Sequence, residues 1–196
     1  MSNTKDSSED AARSNPGVKY AAAPVCPPVV PDDHIQGHRA AKVSVVEYGD
    51  YQCSRCVKAH EILKLIQTQF GSQILFVFRH FPRSDIHPFA QHAAEAAEAA
   101  NSQQKFWQMH DRLFNLSEAL DDASLVEHAI ALKLNINQFL QEMTADVHVD
   151  RVLQDIETGI RSGVNSTPTF FINGSRFEGD WENSALLTAI QHELQR

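Results

Sequence analysis

Two cysteines three residues apart, Cys53-Ser54-Arg55-Cys56, stand between an apolar run, Val43-Ser44-Val45-Val46-Glu47-Tyr48, and a helical pattern. A dithiol in that position requires a strand that ends where a helix begins. It also puts the first thiol at a helix N-terminus, where free backbone N–H groups and the helix dipole stabilise negative charge. Cys53 is therefore expected to be the nucleophile, and Cys56, one turn further in, the resolving thiol. Ser54 and Arg55 are the residues that tune the pair. Arg55 adds a fixed positive charge beside the thiolate, which would make the couple more oxidising; the plainer reading is a solvated surface residue. Glu47 is a carboxylate inside the strand. Buried, it would have a raised pKa and could pass a proton to or from Cys56; the alternative is a strand-end carboxylate paired with a lysine.

A second constraint comes more than a hundred residues later. Thr167-Pro168-Thr169 precedes Phe170-Phe171-Ile172, and Asn173-Gly174 follows as a hairpin signal. A proline before a strand is commonly trans. A cis Pro168 would instead set the Thr167 backbone beside the cysteines, where an extended substrate can pair with it, and the Thr-Pro-Thr-Phe-Phe context favours that form.

The rest of the chain supplies the frame. Residues 1–32 are polar and Pro-rich without periodicity, and read as a disordered arm, with order beginning near Asp33-His34. Residues 33–86 carry the strand Val43–Tyr48, a helix to about Phe70 with Ile62, Leu63, Leu65 and Ile66 on its apolar face, and a second apolar strand, Ile74–Phe78. Residues 87–162 are helical almost throughout. Asp121, Asp122 or Ser124 can cap one helix and Asn135 or Asn137 another. The last helix has a stripe of Val149, Val152, Leu153, Ile156 and Ile160. Residues 163–196 return to strand, hairpin and a final amphipathic helix. A helical insertion thus interrupts an α/β pattern.

Composition narrows the function. The net charge of −8 argues against a nucleic-acid partner, because no Lys/Arg cluster is available to neutralise phosphates. No stretch approaches the ~18 uninterrupted apolar residues that would cross a membrane. The first thirty residues contain no apolar core of a secretory signal, so the expected location is the cytoplasm. Three cysteines do not make a disulfide framework. Zinc would need Cys26 and His34 to join Cys53 and Cys56, and no second closely spaced pair exists, so no metal is expected. Cys26 is an odd thiol, incidental or able to form a regulatory disulfide. His60 lies one helical turn beyond Cys56, and His80, His87, His92 and His110 read as structural or surface residues.

The segment from Glu47 to Cys56 resembles the active-site segment of the DsbA-like proteins of the thioredoxin superfamily. Arg79-His80-Phe81-Pro82, the Ala-rich stretch from His92 to Ala100, Lys105-Phe106-Trp107 with Met109-His110-Asp111, and Gly163-Val164 through Gly174 resemble further family segments in the same order. The resemblance implies an α/β thioredoxin-like fold with an all-helical insertion. It implies a thiol–disulfide oxidoreductase without a bound cofactor, its redox group being the Cys53–Cys56 disulfide, with Pro168 as the cis-proline and Glu47 as the buried acid. Ser-Arg stands where strongly oxidising members have Pro-His, so no potential carries over. The implied partners are protein or peptide thiols and glutathione or a thioredoxin-type redox protein. Related domains occur fused to Na⁺/H⁺ antiporters, so the alternative is a redox-sensing or partner-binding module with little turnover. A glutathione-linked isomerase or transferase is disfavoured by the intact pair of thiols.

Overall fold

A computed structural model describes residues 26–196. Residues 1–25 of the proposed arm lie outside the described residues. Among the described residues the strands are β1 (His34–Gly37), β2 (Val43–Gly49), β3 (Ile74–His80), β4 (Thr169–Ile172) and β5 (Ser175–Arg176). They form one mixed sheet in the order β1-β3-β2-β4-β5. β2 and β3 run parallel, joined over helix α1 (Ser54–Phe70); the other pairs are antiparallel.

Strand alternation divides the core into two layers. Val43 and Val45 of β2, Phe76 and Phe78 of β3, and Phe170 and Ile172 of β4 pack on the face covered by α1 and the C-terminal helix α7 (Ala185–Gln195). Val46, Tyr48, Leu75, Val77 and Phe171 face the other side. Glu47 shares its parity with Val45, so its side chain enters the α1 layer.

Five helices separate β3 from β4: α2 (Ala90–Asn101), α3 (Phe106–Asn115), α4 (Asp122–Ala131), α5 (Ile136–Thr144) and α6 (Val149–Arg161). Asp121 caps α4 by accepting from the Ala123 and Ser124 amides, and Asn135 caps α5 by accepting from Gln138. The fold is thioredoxin-like, with these helices as its insertion. They share the α1-side core, where Ala93, Met109, Phe114 and Phe139 pack with sheet and α1 residues.

Three sequence expectations require correction. Order does not wait for Asp33: Cys26 is buried, and its amide donates to the Gly174 carbonyl at 2.9 Å. Leu65 is 70 % exposed rather than part of the buried face of α1. The apolar stripe of α6 is only partly its buried face. Val152, Asp155 and Gly159 turn inward, while Leu153 and Ile160 are exposed. Strand β1 had no sequence signal, being short and polar at two of its four positions.

Candidate active site

The dithiol sits where β2 gives way to α1. Cys53 is the N-cap of α1, with extended backbone (φ −78°, ψ 116°). Asp50 organises the loop that presents it. Its Oδ1 accepts from the Gln52 amide (2.8 Å), and its Oδ2 accepts from His87 Nδ1 (2.7 Å) and the Arg83 amide (2.8 Å). Its carbonyl accepts from the Cys53 amide at 3.2 Å. Sequence reasoning gave Asp50 no part in the site and missed this role. The available signal was an Asp two residues before Gln52, the local pattern of an Asx-turn.

The two thiols occupy different environments. Cys53 is 8 % exposed and Cys56 fully buried. The Cys53 pKa is lowered to about 5, first by a hydrogen bond from the Cys56 thiol; the Thr167 hydroxyl and the amides of Cys56 and Arg55 add to it, against the opposing effect of burial. Burial, the bond to Cys53 and the nearby Glu47 push the Cys56 thiol well up. One sulfur is thus stabilised as thiolate and the other as thiol.

Glu47 is buried beneath the pair. Burial, with a further contribution from Cys53, raises its pKa to about 8. Its Oε1 accepts no hydrogen bond from the protein. A lysine partner, the plainer sequence reading, is not at that oxygen. The carboxyl is built to hold a proton at neutral pH and to release it when a neighbouring charge changes.

The late segment closes the site. The Thr167–Pro168 bond is cis. The Thr167 carbonyl lies 3.4 Å from Cys53 Sγ, which donates to it as a thiol. Thr169 Oγ1 holds the turn by donating to the Ser166 carbonyl at 2.7 Å. The structure therefore brings Cys53, Cys56, Glu47, Thr167 and Pro168 together. Ser54 is exposed in the first turn of α1. Arg55 is directed elsewhere: its guanidinium stands 5.3 Å above the Trp181 ring, with Nε 3.6 Å from Glu182 Oε1. The Cys56 thiol, followed by the Thr167 hydroxyl and the backbone amides, and not the Arg55 charge, leads the stabilisation of the Cys53 thiolate. Cys26 lies in the opposite layer, where Arg79 Nη1 donates to its sulfur at 3.3 Å. The sheet separates it from the dithiol, so neither the four-ligand zinc set nor a Cys26–Cys53 disulfide is assembled. An open groove of about 510 Å³ runs beside the site, lined by Gln52, Ser54, Val57 and Phe89 among others.

Comparison with known proteins agrees with this architecture. The thioredoxin family model matches residues 30–192. The Na(+)/H(+) antiporter NhaA 1 of Salinispora arenicola (strain CNS-205) is 41 % identical over 180 residues, which cover 91 % of this chain and 28 % of the antiporter. The Na(+)/H(+) antiporter NhaA of Herminiimonas arsenicoxydans is 34 % identical over 183 residues, covering 92 % of this chain and 29 % of that protein. The chain thus spans less than a third of the length of these relatives. Among solved structures, BdbD from Bacillus subtilis (oxidised) superposes with a TM-score of 0.76 at 23 % identity, over 89 % of this chain and 99 % of that one. Alpha-DsbA1 from Wolbachia pipientis gives 0.74 at 22 %, over 85 % and 93 %. At these identities the two structures establish the shared fold.

Proposed function

The chain belongs to the thioredoxin family, and from that premise we propose that it is a dithiol–disulfide oxidoreductase acting on protein or peptide thiols through Cys53 and Cys56. The observation that carries this reading is the split between the two sulfurs: a Cys53 thiol lowered to about 5 beside a Cys56 thiol pushed well up.

In the reducing direction, the Cys53 thiolate attacks one sulfur of a substrate disulfide. A Cys53–substrate disulfide forms, and the other substrate sulfur leaves as thiolate. With the Cys53 charge gone, Glu47 releases its proton towards solvent and as carboxylate becomes the buried acceptor for the Cys56 proton, and Cys56 attacks Cys53 Sγ, displacing the substrate sulfur. The Cys53–Cys56 disulfide forms, and the substrate departs as a dithiol, reduced by two electrons. Oxidation of a substrate dithiol is the reverse. The Thr167 backbone beside Cys53 can pair with an extended peptide, and the groove carrying Phe89 can take its side chains. Stabilising the thiolate stabilises the reduced pair, so the couple should be more oxidising than thioredoxin at about −270 mV. Glutathione or a thioredoxin-type protein would recycle it. In the cytoplasm, the location proposed here, the glutathione pool would keep such a couple reduced.

The test is turnover of insulin disulfides with glutathione. Cys53→Ser should lose all activity. Cys56→Ser should stop at a trapped mixed disulfide. Full activity in Cys53→Ser would overturn the assignment.

The antiporter relatives favour a second reading, in which the same dithiol is a redox-sensing module that partners a Na⁺/H⁺ antiporter. It predicts that oxidising the pair changes antiport in vesicles holding both proteins. Rapid insulin turnover by the isolated chain with unchanged antiport would count against it.

A further inference from the structure

Three side chains on two helices come together behind the dithiol: His60 of α1, and His110 and Asp111 of α3. Each offers one ligand atom, all within 4.8 Å of one another. The geometry points to a divalent-cation site of the zinc class, held by two imidazole nitrogens and one carboxylate oxygen, with a remaining position open to water.

The spacing is informative. His60 Nε2 stands 3.5 Å from Asp111 Oδ1. That is long for a hydrogen bond between charged or polar groups. Two ligands each about 2.1 Å from a tetrahedral ion lie about 3.4 Å apart. Asp111 Oδ1 is buried and accepts no hydrogen bond. Lys64 Nζ lies 2.7 Å from each carboxylate oxygen, paired with Oδ1 by charge and donating its hydrogen bond to Oδ2, so a metal at Oδ1 has to displace the ammonium. A cavity of about 10 Å³ lies among His60, His110, Asp111 and Lys64, which is room for a single water or ion.

The outer contacts fit as well. His110 Nδ1 is engaged by the Tyr51 hydroxyl at 3.1 Å, which leaves Nε2 as the nitrogen available to a metal. His60 stacks on Phe114 with centroids 4.9 Å apart, which fixes its ring plane. The two-histidine, one-carboxylate set suits zinc and its neighbours rather than calcium or magnesium, which take oxygen ligands.

A second cluster, His34, His80 and Glu98, shows what a satisfied arrangement looks like. There both Nε2 atoms bond one carboxylate oxygen, at 2.7 and 3.0 Å. Arg151 Nε is 3.8 Å from the same oxygen and its side chain is largely buried and held by Asp155 at 2.6 Å, so a cation would meet a positive charge that cannot move aside. At the His60 site the facing cation is Lys64, whose side chain is 43 % exposed and has solvent to move into when a metal takes its place. A metal at His60, His110 and Asp111 would pin the helical insertion to the dithiol helix.

The experiment is titration of the oxidised full chain, its Cys53–Cys56 thiols closed, with Co²⁺ and Zn²⁺. One ion per chain is expected, with visible Co²⁺ d–d bands, no thiolate charge-transfer band, and a thermal midpoint that rises with metal concentration. His60→Gln and Asp111→Asn should each weaken binding by about 100-fold, and Tyr51→Phe by about 10-fold. Lys64→Gln should tighten it by removing the competing ammonium. His110→Gln disturbs a buried ring, so the exposed-side variants Asp111→Asn and Lys64→Gln decide the matter. Absence of saturable binding, a thiolate band, or affinity unchanged by Asp111→Asn would overturn the site.

Discussion

At the scale of single residues, Glu47 is a carboxylic acid whose proton is controlled by burial. Its pKa is about 8 in the folded chain, against 4.5 as the ordinary value. Between those pH values the unfolded chain has released a proton that the native chain keeps. The native state binds more protons, so stability is full below about pH 4.5 and falls as pH rises towards 8. The loss is at most about 5 kcal/mol, at 1.36 kcal/mol per pKa unit. Glu47→Gln removes this dependence. In urea unfolding of the oxidised protein, the wild type should lose stability relative to the variant between pH 5 and 8; parallel curves would show that Glu47 is not a buried acid. The catalytic residue types were legible in the sequence because their chemistry depends on local placement: Cys53 after a strand, Cys56 one turn on, Glu47 in the strand. The aim of Arg55 was not legible. It depends on Trp181 and Glu182, more than a hundred residues away. The same holds for Asp50, whose partner His87 comes from beyond β3.

Among the elements, α6 shows why an apolar stripe does not by itself name a buried face. The helix lies against the layer of Tyr48 and Phe81, and it needs polar and small residues there. Asp155 Oδ2 accepts from the His80 amide at 2.9 Å, and Thr158 Oγ1 bonds the Tyr48 hydroxyl at 2.9 Å. Gly159 admits the aromatic rings: a Cβ there would stand 2.8 Å from Phe81 Cδ2 and 3.1 Å from Tyr48 Cδ1. The inward face is therefore set by what the sheet presents, not by counting apolar positions. Helix existence and the caps Asp121 and Asn135 were readable because they are local; the rotation of α6 was not. On an exposed helix, Gly→Ala gains about 1 kcal/mol. Gly159→Ala should instead lose about 1–3 kcal/mol through overpacking, read from the shift of the denaturation midpoint. A stabilised variant would mean that the rings move aside at little cost.

Over the whole molecule, the two halves of the sheet and the segment before β1 close on one another through a buried cation. Arg79 of β3 places its guanidinium among Asp33, Tyr48 and the N-terminal segment. Nε donates to Asp33 Oδ1 and Nη2 to Oδ2, both at 2.8 Å. Nη1 donates to the Tyr48 hydroxyl at 3.0 Å, and Nη2 to the Pro28 carbonyl at 3.0 Å. The same segment reaches the second half of the sheet, where the Cys26 amide donates to the Gly174 carbonyl. Read by composition, this stretch has too little apolar surface to order itself. It orders because Arg79 must find acceptors once it is buried, and the carbonyls of Pro27 and Pro28, which no proline ring removes, are in reach. Asp33 carries the counter-charge, held bidentately. Asp33→Ala would leave the guanidinium buried with neutral acceptors only. Breaking a buried ion pair from one side costs about 3–5 kcal/mol, so the variant should unfold at clearly lower urea. Swapping both residues, Asp33→Ala with Arg79→Met, should recover part of that loss, because the charge that needed a partner is gone. A single variant as stable as the wild type would mean that water solvates Arg79, and that the segment from Cys26 to Asp33 does not hold the halves together.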